Sequence, residues 1–372
     1  MGKEKQKLKL IFVARKFENM AGGLERISID LMNKMIRNGH KVGLITWDKS
    51  SAVSHYPIDN RVKWLKLNIG NPDLPSSIQV SIARLKKART FARDFNPDII
   101  LGFQSGASLF SIIATFGQSY KILAAERVSP DLWKHVGGGF KFKIVNLLTW
   151  FFASKITVQF PQYIDQYPYI FRHKITSIHN PVYPESLKEY DKGQKSEKII
   201  LCVARLCYQK NQDLLIDAFH HLSNRMKEWK LIFVGDGEFY DRFYTKVNEL
   251  GLKDRIIFCG NIVDVSSWYQ KADIFAFPSY FEGFPNALAE ALSWGIPCIG
   301  LRNTLGVNSL IEDNVNGLLV DPTIKDFSRA INTLVNNDKL RKKMSLEARK
   351  ISFKYSPKNS YDLWESLFES MT

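Results

Sequence analysis

Apolar positions along the chain fall into short continuous runs rich in Ile, Leu, Val and Phe, separated by longer segments in which they recur with helical period. Runs without strict alternation belong to strands covered on both faces, so the pattern predicts parallel sheets sheathed by helices. In the first half the predicted strands are Leu8–Ala14, Val42–Thr46, Val62–Leu67, Ile99–Phe103, Ile122–Ala125, Ile156–Phe160 and Ile175–Ile178. In the second half they are Ile199–Ala204, Leu231–Val234, Ile256–Cys259, Ile274–Phe277, Cys298–Gly300 and Leu318–Val320. Two such series predict two doubly wound α/β domains. Residues 8–13 (LKLIFV) and 229–234 (WKLIFV) are nearly identical, but the segments after them differ, so the echo reads as convergent strand composition rather than a repeat.

Between the series, Asn180-Pro181-Val182-Tyr183-Pro184 and the polar stretch behind it have the Pro and charge content of a linker. The expected division is a first domain over 1–180, a linker over 181–197, a second domain over 198–353, and a helical tail over 354–372 that either caps the second domain or crosses back to the first. The chain's 372 residues, 45% of them apolar, are enough for two such cores. The apolar stretch 144–154, set between Lys143 and Lys155, is far shorter than the about 20 residues a membrane crossing needs. Lys3, Lys5, Lys7 and Lys9 lead straight into a strand-like run, which is not the shape of a secretory signal. A cytoplasmic protein, soluble or peripheral to the membrane, is the expectation. The four cysteines (Cys202, Cys207, Cys259, Cys298) have no metal-site spacing and read as free thiols of a reducing compartment.

Charge changes the picture once it is divided. The net +15 lies entirely in residues 1–180, with 27 basic against 12 acidic side chains; the remainder carries 25 of each. An excess confined to one half points that half towards an anionic surface or substrate and argues against a general nucleic-acid binder. Two segments concentrate it. Residues 82–95 place Ile82, Leu85, Ala88, Ala92 and Phe95 on one helical stripe among Arg84, Lys86, Lys87 and Arg93, and residues 134–143 put Lys134, His135, Lys141 and Lys143 before the apolar Ile144–Phe152. These are either core helices with solvated faces or a face that docks on anionic lipid.

Candidate chemistry concentrates in the second half. The segment 279–292 (SYFEGFPNALAEAL) follows a predicted strand, turns at Gly283, places Pro285 in a first helical turn, and continues in good helix formers. Such a helix start offers N–H groups and a dipole to a diphosphate. Glu282 before the helix and Glu290 within it suit the vicinal hydroxyls of a sugar and a ribose, or else serve as a cap and a solvated carboxylate. Arg205 and Lys210 lie beyond the carboxyl end of the second half's first strand, where anions bind in parallel sheets; they would stabilise a departing diphosphate, or remain solvated loop cations. Gly235-Asp236-Gly237 is a strand-to-helix turn of weak significance. In the first half, Gly22-Gly23 follows the first strand and opens a helix without forming a GxGxxG fingerprint, and Asp48 keeps a dinucleotide site as an alternative. No Asp-x-Asp clamp occurs, so no metal and no cofactor are expected; Arg205, Lys210 and the helix start would take a metal's part.

These elements, in this order, resemble the retaining, nucleotide-sugar-dependent glycosyltransferases of GT-B fold, specifically glycosyltransferase family 4. The likeness is strong over 198–321, through the Glu282-x7-Glu290 spacing, the Arg205 and Lys210 pair and the Gly235 turn, and weaker over the first half. It implies two Rossmann-like domains facing a cleft, and transfer of a hexose or N-acetylhexosamine from a nucleotide sugar, chiefly UDP-linked, to a saccharide or polyprenyl-diphosphate-linked acceptor of surface glycan synthesis. By the same resemblance Glu282 contacts the donor sugar and Glu290 the ribose. Arg205 and Lys210 hold the diphosphate, backbone from Gly283, Phe284, Pro285, Asn286, Ala287 and Leu288 faces it, and Asn261 and Ile262 lie beside the base, while Gly22 and Gly23 approach from the first domain. Many relatives carry a His where this chain has Glu126-Arg127; Arg127 either takes over its contacts or forms an internal ion pair. A nucleotide-sugar epimerase or hydrolase on the same scaffold is the alternative, which the two-glutamate spacing disfavours.

Overall fold

The computed structural model describes residues 6–18, 20, 22–136, 139–183 and 197–372. Most of the expected linker, residues 184–196, lies outside the described residues. The chain divides into two compact units, one formed by residues up to Pro181 together with Lys358–Thr372, the other by Val182–Pro357.

The first unit holds strands β1 (Lys9–Val13), β2 (Lys41–Thr46), β3 (Lys63–Lys66), β4 (Ile99–Phe103), β5 (Lys121–Ala125), β6 (Lys155–Val158) and β7 (Ile175–Ser177). Its helices are α1 (Gly23–Arg37), α2 (Ile78–Phe95), α3 (Gln104–Ala114), α4 (Leu132–Val136), α5 (Phe140–Phe152) and α6 (Tyr169–Arg172). The second unit holds β8 (Lys198–Val203), β9 (Trp229–Val234), β10 (Ile256–Phe258), β11 (Ile274–Phe277), β12 (Cys298–Leu301) and β13 (Gly317–Val320). Its helices are α7 (Gln212–Leu222), α8 (Tyr240–Glu249), α9 (Ser266–Lys271), α10 (Asn286–Ser293), α11 (Leu305–Asn308), α12 (Ile324–Val335), α13 (Asp338–Ala348) and α14 (Ile351–Lys354). The last helix, α15 (Pro357–Met371), belongs almost wholly to the first unit.

Each predicted strand is present, with ends shifted by a residue or two. The sheets run β3-β2-β1-β4-β5-β6-β7 and β10-β9-β8-β11-β12-β13, and all their pairings are parallel. Strand order reverses between β1 and β4 in one sheet and between β8 and β11 in the other, the places where open α/β sheets leave a crevice at their carboxyl edge.

In the first unit, Leu10, Phe12, Met32, Met35, Ile36 and Ile178 pack with Tyr361, Trp364, Leu367 and Phe368 of α15. Ser360 Oγ adds a bond to the His179 carbonyl (2.8 Å). The expected stripe of α2 packs through Leu85, Ala88, Ala92 and Phe95, but Ile82 is exposed and Arg84 is buried beside it. Arg84 is accommodated because its guanidinium donates to the Ile69 carbonyl (2.9 Å) and Ser76 Oγ (2.6 Å), binding the preceding loop instead of facing water or lipid. Asp48 is buried and accepts from the Phe17 and Glu18 amides (3.0 and 3.2 Å), so the carboxylate that kept a dinucleotide site open is engaged in holding the loop after β1. Cys202 and Cys298 are buried, and desolvation raises both thiols, Cys202 to about 12; Cys207 and Cys259 are half-buried.

Candidate functional site

The loops that leave the carboxyl edge of the second sheet are stitched to one another, and the sequence explains each stitch. After β9 the chain turns at Gly235 with φ +130°, and a Cβ there would collide with the Ala204 carbonyl; at Gly237 it would collide with Leu206. Glycine at both places lets the loop after β8 lie against this turn, fixed by Ala204 N–H to the Val234 carbonyl (3.0 Å) and Leu206 N–H to the Asp236 carbonyl (3.0 Å). Gly235 N–H also donates to the Gly260 carbonyl (2.8 Å), which anchors the turn carrying exposed Asn261 and half-buried Ile262.

The loop after β8 is bound as closely to the loop after β11. Tyr280 N–H donates to the Gln209 carbonyl (2.9 Å), Gln209 Nε2 to the Phe281 carbonyl (2.8 Å), and the Tyr208 and Tyr280 rings lie 5.3 Å apart. This framework brings two of the expected residues into contact: Lys210 Nζ and Glu282 Oε1 form an ion pair at 2.6 Å, with side chains only 16% and 7% exposed. The ammonium also sits 5.1 Å from the Phe277 ring centroid. Such a shielded pair sets an ammonium and a carboxylate side by side at the carboxyl edge of the sheet, between the loops that follow β8 and β11. Arg205, earlier in the same loop as Lys210, is exposed, and its carbonyl accepts from Gln212 Nε2 (2.7 Å). Two buried polar atoms here, Gln212 Oε1 at the start of α7 and Ser279 Oγ after β11, lack a hydrogen-bond partner.

Beyond Glu282 the chain passes half-buried Gly283 and buried Phe284 and Pro285, with Phe284 edge-on to Tyr355 at 6.0 Å. Pro285 was expected inside the first turn and is instead the residue before it; its missing N–H costs nothing at either position. The α10 ladder begins with Ala289 N–H donating to the Pro285 carbonyl (3.0 Å), so the amides of Asn286, Ala287 and Leu288 form the leading turn. Glu290, one turn further, accepts from the hydroxyl of buried Tyr269 (Oε2, 3.0 Å). Tyr269 also donates to the Ala287 carbonyl (3.3 Å), and burial, then the charge of Glu290, lift its phenol well above the ordinary range. Nothing in sequence spacing linked Tyr269 to Glu290, because the contact is made by α9, which precedes β11.

In the first unit, Gly22 precedes α1, and a Cβ there would run into the Glu25 carboxylate, so the glycine accommodates its own helix's first turn. Glu126 lies buried just after β5, takes a bond from Ser105 Oγ (2.5 Å), and is raised above the ordinary carboxylate range by burial. Arg127 is half-buried, with a desolvated guanidinium lowered to about 9. Its Nη1 donates to the Ile178 carbonyl (2.8 Å), its Nη2 to Thr157 Oγ1 (2.9 Å), and it lies 4.9 Å from the Trp364 ring centroid. Arg127 thus ties β6, the segment after β7, and α15 together. Among the described residues no three His, Cys, Asp or Glu side chains gather in a way that could hold a metal ion.

Residues 185–351 match the family model for glycosyl transferases group 1. An uncharacterized glycosyltransferase of Haemophilus influenzae is 26% identical over 93% of this chain and 96% of its own length. A Campylobacter jejuni enzyme, the GalNAc-alpha-(1->4)-GalNAc-alpha-(1->3)-diNAcBac-PP-undecaprenol alpha-1,4-N-acetyl-D-galactosaminyltransferase, is 24% identical over 88% of this chain and 90% of its own. Among solved structures, Anabaena HepE in complex with UDP and glucose superposes with a TM-score of 0.77 over 98% of this chain and 100% of its own, at 19% identity.

Proposed function

We propose that this chain, a glycosyltransferase with two parallel-sheet units of the GT-B fold and a group 1 domain over residues 185–351, retains anomeric configuration as a family 4 enzyme and takes its sugar from a UDP-linked donor. The observation that carries the reading is the shielded Lys210–Glu282 pair beside the first turn of α10 at the β8/β11 switch point. A nucleoside diphosphate sugar needs a cation and amides for its phosphates and a carboxylate for its sugar hydroxyls, and this corner supplies all three. Uridine is favoured by the UDP in HepE, and a lipid-linked acceptor by the undecaprenol-linked substrate in the name of the Campylobacter relative.

In the proposed reaction the bond from the anomeric carbon to the diphosphate breaks as an acceptor oxygen bonds to that carbon on the same face. The acceptor proton passes to the departing phosphate oxygen, and Arg205, Lys210 and the α10 amides carry the charge that grows there. Glu282 orients the sugar, Glu290 the ribose, and Asn261 and Ile262 flank the base. Gly22 and Gly23, at the start of α1, are assigned to binding of the donor. Arg127, whose Nη atoms both have partners within its own unit, is assigned a positioning role. The first unit takes the acceptor, at the cytoplasmic face of the membrane.

Thermal-shift titration with UDP, GDP and ADP tests the donor site: stabilisation by UDP is expected, and indifference to all three refutes it. Incubation with UDP-sugars and a polyprenyl-diphosphate glycan should then release UDP and give a product of unchanged anomeric configuration by NMR. Equal release without acceptor would favour the hydrolase alternative.

A further inference from the structure

Helix α5 is built the wrong way round for a helix that covers a sheet. Phe140, Ile144, Leu147 and Phe151 recur at i, i+4, i+7 and i+11, which puts them on one stripe, and that stripe is exposed at 79%, 39%, 51% and 62%. Its packed side is already settled. Thr149 is buried and donates to the Ser105 carbonyl in α3 (3.1 Å), and Trp150 lies against Tyr167 and Phe171 with ring centroids 4.9 and 6.0 Å away. Lys174 Nζ closes the helix end on the carbonyls of Phe151 and Ala153 (2.8 and 3.1 Å). At 3.6 residues per turn, exposed Lys141 and Lys143 fall on opposite flanks of the stripe. Neighbouring α6 adds Tyr169 and Ile170, 84% and 66% exposed.

We propose that the Phe140–Phe151 stripe of α5 inserts into the interfacial layer of an anionic lipid leaflet, with Lys141 and Lys143 against the headgroups. The inference rests on the lipid-linked acceptor proposed above and names the surface that brings the enzyme to it. An apolar face with cations at both margins complements an anionic bilayer, whereas the dry centre of a protein interface is depleted of lysine. Thirteen helical residues span about 20 Å against a hydrocarbon core of about 30 Å, so α5 lies in the plane of the membrane, and no described helix is long and apolar enough to cross it.

Flotation of the full chain with phosphatidylglycerol–phosphatidylcholine vesicles, and with phosphatidylcholine alone, tests this. The wild type should float with the anionic vesicles, and Phe140→Ser/Leu147→Ser/Phe151→Ser should lower partitioning at least about a hundredfold. Lys141→Gln/Lys143→Gln should lower it about twentyfold, as should added salt. UDP binding by thermal shift should be unchanged in both variants, which certifies their fold and keeps the two readings separable: UDP binding without flotation sinks this inference alone, and flotation without UDP binding sinks the donor site alone. The inference is overturned if the wild type stays with the unbound protein or if the triple variant floats equally well. It is also overturned if sedimentation shows a wild-type dimer that the triple variant abolishes, which would give the stripe to a second copy.

Discussion

Replacing Glu282 by Gln perturbs one charge and almost no volume, and the ion pair it breaks permits opposite predictions for nucleotide binding and for turnover. At 2.6 Å the direct attraction between Lys210 and Glu282 is about 6 kcal/mol for an effective dielectric constant near 20. Most of this offsets desolvation; removing one partner of a shielded pair costs about 3 kcal/mol, because the other charge is left without compensation. For a unit the size of residues 182–357 that loss corresponds to a melting temperature lower by about 6 to 12 °C. At the proposed donor site UDP would supply the missing anion and no longer compete with Glu282. The variant should therefore bind UDP about tenfold more tightly than the wild type, roughly half the worth of a charged hydrogen bond. Turnover should move the other way, with kcat/KM for the UDP-sugar falling about a hundredfold as the sugar loses its carboxylate. Calorimetric titration with UDP, melting with and without it, and a UDP-release assay read the three effects. Melting and UDP affinity both equal to wild type would refute the reasoning, because the pair would then be neither shielded nor in the path of the diphosphate.

Tyr269→Phe removes the hydroxyl that fixes Glu290 and should weaken UDP binding about fivefold with little change in kcat, the loss of about 1 kcal/mol of hydrogen bonding; an unchanged dissociation constant would separate Glu290 from the ribose. Glu126 is raised above 4.5 in the folded protein, so its contribution to stability is full below that pH and is lost as pH rises towards the folded value. Glu126→Gln stays neutral throughout, and its stability relative to wild type in urea titrations should improve as the pH climbs above 4.5; a difference that stays flat with pH would contradict the buried carboxyl.

Buried parallel strands are long-range structures with a short-range signature, which is why all thirteen were legible as apolar runs. Lys210 and Glu282 could each be singled out because they lie just beyond such runs, and β8 and β11 are neighbours in the sheet. What the chain does not announce is contact between segments with no fixed spacing. Tyr269 meets Glu290 across β11, and Asp48 meets the loop after β1 across β2. Arg84 looked like a solvated cation because burial of a guanidinium depends on carbonyls supplied by a loop fifteen residues earlier, at Ile69. Helix α5 stays open on sequence alone: hydropathy cannot tell an apolar face that is packed from one that is presented, and the exposures of Phe140 and Phe151 distinguish them.

Helix α15 has a bearing on how the enzyme is made. Its Trp364 and Phe368 leave the ribosome after the whole second unit, yet they complete the core begun by Leu10 and Phe12, which emerge before it. Translation therefore finishes the second unit before the first can close. Until α15 emerges, the nascent chain carries an open apolar groove along β1 and α1, the surface on which a chaperone would act. A fragment ending at Pro181 would be held permanently in that unfinished state, and because Ser360 is bonded to the His179 carbonyl, the direct route to an independent first unit is to excise residues 182–357 and join Pro181 to Lys358.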